Sequence, residues 1–213
     1  ERFNSISHLV GAVLALIGLG ALWLWVGQAG VAEEFTGKLA DAMAAMKVGP
    51  GMEDGVTLGP VINEWAVSDM AGFVEASTDH GSRVRVGGRR PDRQGFFFEP
   101  TLLADVLPSD PILSTEVFGP VAVLDAYEDF AQALNMVNDS RYGLQAGVFT
   151  NDTSKIQEAW SKIEVGGIIH NEVPTWRTDP MPYGGVKGSG VGREGPAYTY
   201  REMTEERLLV LNK

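Results

Sequence analysis

The sequence predicts a mainly parallel, open α/β sheet with helices on both faces, preceded by one apolar helix. Three observations lead to it. Beyond Gly30, short runs of buried-strand character alternate with helical patterns of about ten to fifteen residues, the pattern of a parallel sheet covered on both sides. The stretch Leu9–Val26 carries no charged side chain and as a helix would be roughly 27 Å long, just enough to span a bilayer. The 213 residues hold 17 Lys plus Arg against 28 Asp plus Glu and no cysteine, the composition of a soluble acidic surface around one full domain.

The elements follow in order. Leu9–Val26 reads as a transmembrane or signal-anchor helix with Trp23 and Trp25 in an interfacial belt, as a cleaved signal peptide, which the low positive charge of the flank and Val26-Gly27-Gln28-Ala29 argue against, or as a fully buried helix that Gly11, Gly18 and Gly20 weaken. The chain therefore divides into an apolar helix over residues 1–26 and an α/β region over residues 27–213. Phe35, Leu39, Met43 and Met46 share one face of a helix over Ala32–Lys47, and Gly49-Pro50-Gly51 stops it. A second helix over Glu64–Thr78 should bury Val67, Met70, Ala71 and Val74. Strands are expected at Arg83–Val86, Phe96–Glu99, Leu102–Val106, Val121–Asp125, Gln145–Thr150 and Gly167–Asn171, with helices at Glu128–Val137 and Ser154–Ile163.

Charge and composition exclude several chemistries. A net charge of −11 argues against a phosphate-neutralising nucleic-acid surface. With no cysteine these residues supply no disulfide, thiolate metal ligand or catalytic thiol. No H-E-x-x-H and no histidine pair at helical spacing occurs, so no metal site is expected. The histidines at 8, 80 and 170 suggest no triad, and His170 reads as a packed imidazole on a buried strand.

Two loops carry more than a connector needs. The first is Thr115-Glu116-Val117-Phe118-Gly119-Pro120. The second, Met181 to Gly195, has six glycines between Gly184 and Gly195, so its backbone turns tightly or lets another backbone approach closely. It matches neither a G-x-x-x-x-G-K-[ST] phosphate loop nor a dinucleotide-binding turn. Taken alone, Glu116 is a solvated loop carboxylate, Phe118 a core aromatic and the glycine run a packing loop.

In order along the chain, Val31-Ala32-Glu33-Glu34-Phe35, Leu58 to Asn63, Gly95 to Pro100, Glu116-Val117-Phe118-Gly119-Pro120, Asn138-Asp139 before Tyr142-Gly143-Leu144, Gly166 to Asn171 and the glycine run resemble the C-terminal, catalytic-domain part of the aldehyde dehydrogenase superfamily. That resemblance implies NAD(P)-dependent oxidation of an aldehyde to a carboxylic acid, with NAD or NADP as cofactor. It also implies a cytoplasmic location, unless residues 9–26 span a membrane. Glu116 matches the glutamate that accepts the nicotinamide ribose hydroxyls, a role an ionised carboxylate suits, and Phe118 matches the aromatic beside the nicotinamide. The segment Glu172–Tyr183 resembles the loop lining the aldehyde entrance. There Trp176 and Tyr183 would supply apolar walls, and Arg177 would either pair with a carboxylate or phosphate on the aldehyde or hold the loop through Asp179. Glu206–Leu211 resembles the C-terminal strand that joins a partner subunit's sheet, implying a homo-oligomer. Separately, Glu1 to Gly11 resembles the first membrane helix of the haemolysin III and progestin/adiponectin receptor family.

The departures from the superfamily are as informative. Its chemistry needs a thiolate, a general-base glutamate and a nucleotide-binding domain, and no residue here matches these, so no catalytic residue is assigned. Gly27-Gln28-Ala29-Gly30 either echoes the G-Q-x-C of the nucleophile, with Gly30 at the cysteine position and the following strand lost before Val31, or matches by chance. The expectation is a partial dehydrogenase, inactive alone. The alternatives are a membrane-tethered non-catalytic partner or oligomerisation module, and an accidental gene fusion.

Overall fold

A computed structural model of the chain describes residues 13–17, 22–27 and 29–213. Strands β1 (Val13–Ile17) and β2 (Leu22–Gly27) lead into helix α1 (Ala29–Ala44); α2 (Glu64–Asp79), β3 (Arg83–Val86) and β4 (Thr101–Ala104) follow. After a single 3-10 turn at Pro111–Leu113 come β5 (Val121–Tyr127), α3 (Phe130–Asn138), β6 (Tyr142–Gly143) and β7 (Gln145–Phe149). The chain closes with α4 (Thr153–Lys162), β8 (Gly167–His170), β9 (Val186–Lys187) and α5 (Pro196–Glu202). Seven strands form one sheet in the order β3-β4-β5-β2-β1-β7-β8, and β6 pairs with β9 apart from it. β2 is parallel to β5, β5 to β4 and β7 to β8, whereas β1 is antiparallel to both its neighbours and β3 to β4. Five strands therefore run one way, and β1 and β3 run against them.

The apolar stretch is where expectation and structure part. Instead of a helix over residues 9–26, Val13–Ile17 and Leu22–Gly27 are sheet strands, β1 pairing with β2 and β7 and β2 with β5. A strand buried on both faces is as uniformly apolar as a membrane helix, so composition alone does not separate the two. No helix among the described residues is long and apolar enough to cross a membrane. Residues 1–12, which carry the resemblance to a receptor helix, and residues 18–21 lie outside the described residues.

Both faces of the sheet are covered, and β5 shows how. Val121, Val123 and Tyr127 join Leu103 of β4 in a cluster with Val67, Met70 and Val74 of α2, Leu134 and Val137 of α3 and Ala159 of α4. The alternate residues Ala122 and Leu124 join Leu102 and Val26 against Ala32, Phe35 and Met43 of α1. This is period-two alternation with helices on each side. Asn63, Asp129 and Asp152 cap α2, α3 and α4 by accepting from the backbone N–H of Ala66, Gln132 and Ser154. Phe96–Glu99 forms no strand: its backbone bonds go to two different segments, Phe96 O accepting from the Val61 N–H at 2.8 Å and the Glu99 N–H donating to Arg89 O at 3.0 Å, and Arg93 stacks on the ring of the buried Phe97 at 4.4 Å.

Leu102 and Leu103 are each fully buried, on opposite faces. Leu102→Ala and Leu103→Ala should each lower the unfolding free energy by about 2–5 kcal/mol in urea titrations; a cost confined to one of them would mean that one face is open to solvent.

Candidate functional site

The loop before β5 is pegged at several points. Ile112 and Val117, 0 % and 1 % exposed, anchor it on either side of Glu116. Gly119 lies so close to α2 that a Cβ there would stand 1.9 Å from the Met70 Sδ, and Met70 is itself buried in the core. The Thr101 N–H donates to Pro120 O at 2.9 Å, tying the loop to the start of β4. Between these pegs Glu116 is half-buried and Phe118 is 64 % exposed. Partial burial pushes the Glu116 carboxyl above the usual carboxylate range. Among the described residues no group donates a hydrogen bond to it. Its acceptors are therefore available to a ligand.

The second loop begins at the opposite end of the sheet and comes back. β8 ends at His170, which is exposed rather than packed and lies 2.8 Å through Nε2 from Thr150 O. Asn171, at φ 54°, reverses the chain. The segment from Glu172 to Pro174 then crosses β7 at Gly147, where a Cβ would stand 2.6 Å from Glu172 O. The Gln145 Nε2 donates to Pro174 O at 2.6 Å and to Trp176 O at 3.2 Å. At Gly166 a Cβ would lie 1.6 Å from Gly184 O, so only glycine admits the returning backbone there. Gln145 and Gly167 are opposite each other at the starts of β7 and β8, and the loop thus ends at the edge from which those strands set out.

The expected substrate-side residues meet at this edge. The Arg177 guanidinium stacks 4.3 Å from the Tyr183 ring centroid and lies 3.6 Å from Glu194 Oε2, so its ionic partner is Glu194 and not Asp179. Tyr183 and Glu194 exchange backbone hydrogen bonds at 3.1 and 2.6 Å, which fixes the carboxylate beside the ring. Trp176 is 47 % exposed. Ser189 is occupied structurally, its hydroxyl accepting from the Gly143 N–H at 3.0 Å.

Strand register relates the two loops. Ala122, Leu22, Ile17 and Gln145 form one row across β5, β2, β1 and β7, so β5 and β7 are three strand spacings apart, about 14 Å. Glu116 and Phe118 precede one end of this row and Trp176, Arg177 and Tyr183 gather at the other. Between them lie the end of β1 and the start of β2. Gly30 is not there: it sits in the first turn of α1, beyond Gly27, which pairs with Tyr127 at the far edge. No strand directly follows Gly30, which lies inside α1 just after β2.

Residues 24–209 match the sequence model of the Aldehyde dehydrogenase family. The chain belongs to that family. It is 41 % identical over 178 residues to a 3-sulfolactaldehyde dehydrogenase of Priestia aryabhattai, covering 84 % of this chain and 37 % of that one. It is 35 % identical over 190 residues to the succinate-semialdehyde dehydrogenase [NADP(+)] of Escherichia coli K12, covering 86 % and 38 %. A crystal structure of aldehyde dehydrogenase 21 from Physcomitrella patens in complex with the reaction product succinate superposes with a TM-score of 0.83 at 37 % identity, over 89 % of this chain and 38 % of that one. The chain thus spans less than half the length of these relatives.

For an aldehyde dehydrogenase segment sequence reasoning missed Gln145 and Glu194, and it placed Met70 in the core without its contact with Gly119. Each acts through a partner distant in sequence, and only the glycines beside those partners hint at the close approach. Glu116 binds a proton more readily folded than unfolded, so it favours the fold as pH falls through its titration and disfavours it as pH rises. Glu116→Gln should therefore raise the urea midpoint at about pH 7, with the gain closing below about pH 4; an equal gain at both pH values would contradict the burial effect.

Proposed function

We propose that this chain forms the C-terminal part of the catalytic domain of an NAD(P)-dependent aldehyde dehydrogenase, which oxidises an aldehyde to a carboxylic acid. The observation that carries the reading is the half-buried Glu116 carboxylate, without a donor among the described residues, on the same sheet edge as the Trp176–Arg177–Tyr183 group. Glu116 would accept the ribose hydroxyls of the nicotinamide half, and the exposed Phe118 would lie against its ring. The bound cofactor supplies the hydride acceptor. Arg177 would hold an anionic group on the aldehyde, displacing or sharing Glu194, with Trp176 and Tyr183 as walls. The names of similar enzymes support this: 3-sulfolactaldehyde, sulfoacetaldehyde and succinate semialdehyde all carry a sulfonate or carboxylate.

The attacking thiolate is not among these 213 residues, which contain no cysteine. We assign this chain binding and positioning roles and no turnover of its own. A second reading, an oligomerisation module, is favoured by the C-terminal segment. Leu208, Leu209, Val210 and Leu211 are 90, 79, 67 and 83 % exposed and belong to no described strand, so Glu206–Leu211 is available to extend the sheet of another subunit.

Calorimetric titration of NAD+ and NADP+ into the full chain tests the first reading. Glu116→Ala should weaken binding on the order of ten- to a hundredfold, since a hydrogen bond to a charged group contributes about 1.5–3 kcal/mol. Equal affinity in both proteins removes Glu116 from the site. Aldehyde-dependent reduction of the cofactor by the purified chain alone overturns the assignment of the nucleophile elsewhere.

A further inference from the structure

Gln145 opens β7 at a place where the strand is buried on both sides, and it is 2 % exposed. An amide is costly there unless its hydrogens are bonded. Its Nε2 carries two hydrogens, and both go to one loop: to Pro174 O at 2.6 Å and Trp176 O at 3.2 Å. One amide capturing carbonyls two residues apart obliges the chain to curl around it, and the Trp176 N–H closes the curl on Val173 O at 3.0 Å. Between Asn171 and Pro180 only Pro174 is buried. The loop therefore rests on two adjoining supports, Pro174 against the bare face of Gly147 and the two bonds from Gln145. The second bond is to the carbonyl of Trp176 itself and Arg177 follows directly, so it helps place both at the sheet edge, where Arg177 also meets Tyr183 and Glu194.

We propose that Gln145 is a positioning residue that holds Trp176 and Arg177 at the aldehyde edge and so governs which aldehydes the site accepts. The part that concerns aldehydes rests on the proposed function; the hold on the loop does not. The chemistry is specific to a two-hydrogen donor of this length. Leucine fills the space with no donor, and glutamate donates once when protonated and not at all when ionised.

Hydrogen exchange read by mass spectrometry on the full chain tests the hold. In Gln145→Leu, peptides covering residues 172–183 should exchange on the order of tenfold faster than in the wild type, with the Glu116 loop and β4 unchanged. Unchanged exchange in 172–183, or faster exchange spread evenly over the sheet, overturns the proposal. Gln145→Glu supplies the rescue: after correction for intrinsic rates, its loop should be protected wherever the carboxyl is protonated and loosen as it ionises. A glutamate loop as loose as the leucine one at every pH overturns the donor role.

Succinate is the probe for the aldehyde part. It should slow exchange of residues 176–183 in the wild type and not in Gln145→Leu, whereas equal slowing in both overturns the selectivity role. Slowing in neither refutes the anion-binding reading of Arg177 and with it the selectivity role, and the exchange rates without ligand then decide the hold alone.

Discussion

The parallel pairing of Leu22–Gly27 with Val121–Tyr127 is the constraint on which the rest of the molecule depends. It joins β3, β4 and β5 on one side to β1, β7 and β8 on the other. The first group carries the loop with Glu116, the second the loop with Arg177. Among the described residues no other strand pairing joins the two halves, so the relative position of the loops follows this ladder and the core cluster packed across it. The register of this pair also decides which ends of the strands lie together. A slip of one residue would turn every side chain of β2 to the opposite face and move the row that relates the two loops.

Close backbone approach is the second means of assembly. At Gly119, Gly147 and Gly166 a side chain would collide with Met70, Glu172 and Gly184 respectively. All three lie where a candidate functional loop meets the sheet or its covering helix. Two of the contacts are to backbone oxygens, which cannot move aside as a side-chain end can. The site is therefore built by removing side chains beneath the loops, and its precision comes from backbone lying on backbone.

Much of this was legible in the sequence, and the reasons are local. The strands Arg83–Val86, Gln145–Phe149 and Gly167–His170, and the helices α2, α3 and α4, announce themselves through period, caps and glycine stops. The loop before Val121 stood out by composition, but taken alone Glu116 read as a solvated carboxylate and Phe118 as a core aromatic, and it was the superfamily resemblance that gave them roles. The apolar N-terminal stretch was misleading because a uniformly apolar run suits a central sheet strand as well as a membrane helix. The pairing of Arg177 with Glu194 was hidden because Asp179 is nearer in sequence and equally plausible in charge. Gln145 was read only as a strand residue, since nothing in a linear pattern tells which carbonyls a buried amide will meet.

The five arginines between positions 83 and 93 bear on how an anion would reach this site. Arg83, Arg85, Arg89 and Arg90 are paired with Asp105, Glu33, Glu99 and Glu64, and Arg93 donates to Val48 O at 2.7 Å while covering Phe97. With these cations already matched, the excess of −11 dominates the distant field. A small anion approaching the chain feels this repulsion within the screening length of about 8 Å at physiological ionic strength and little of it farther out. Its encounter rate should therefore rise with added salt, the reverse of electrostatic steering, and recognition falls to short-range contacts made after arrival.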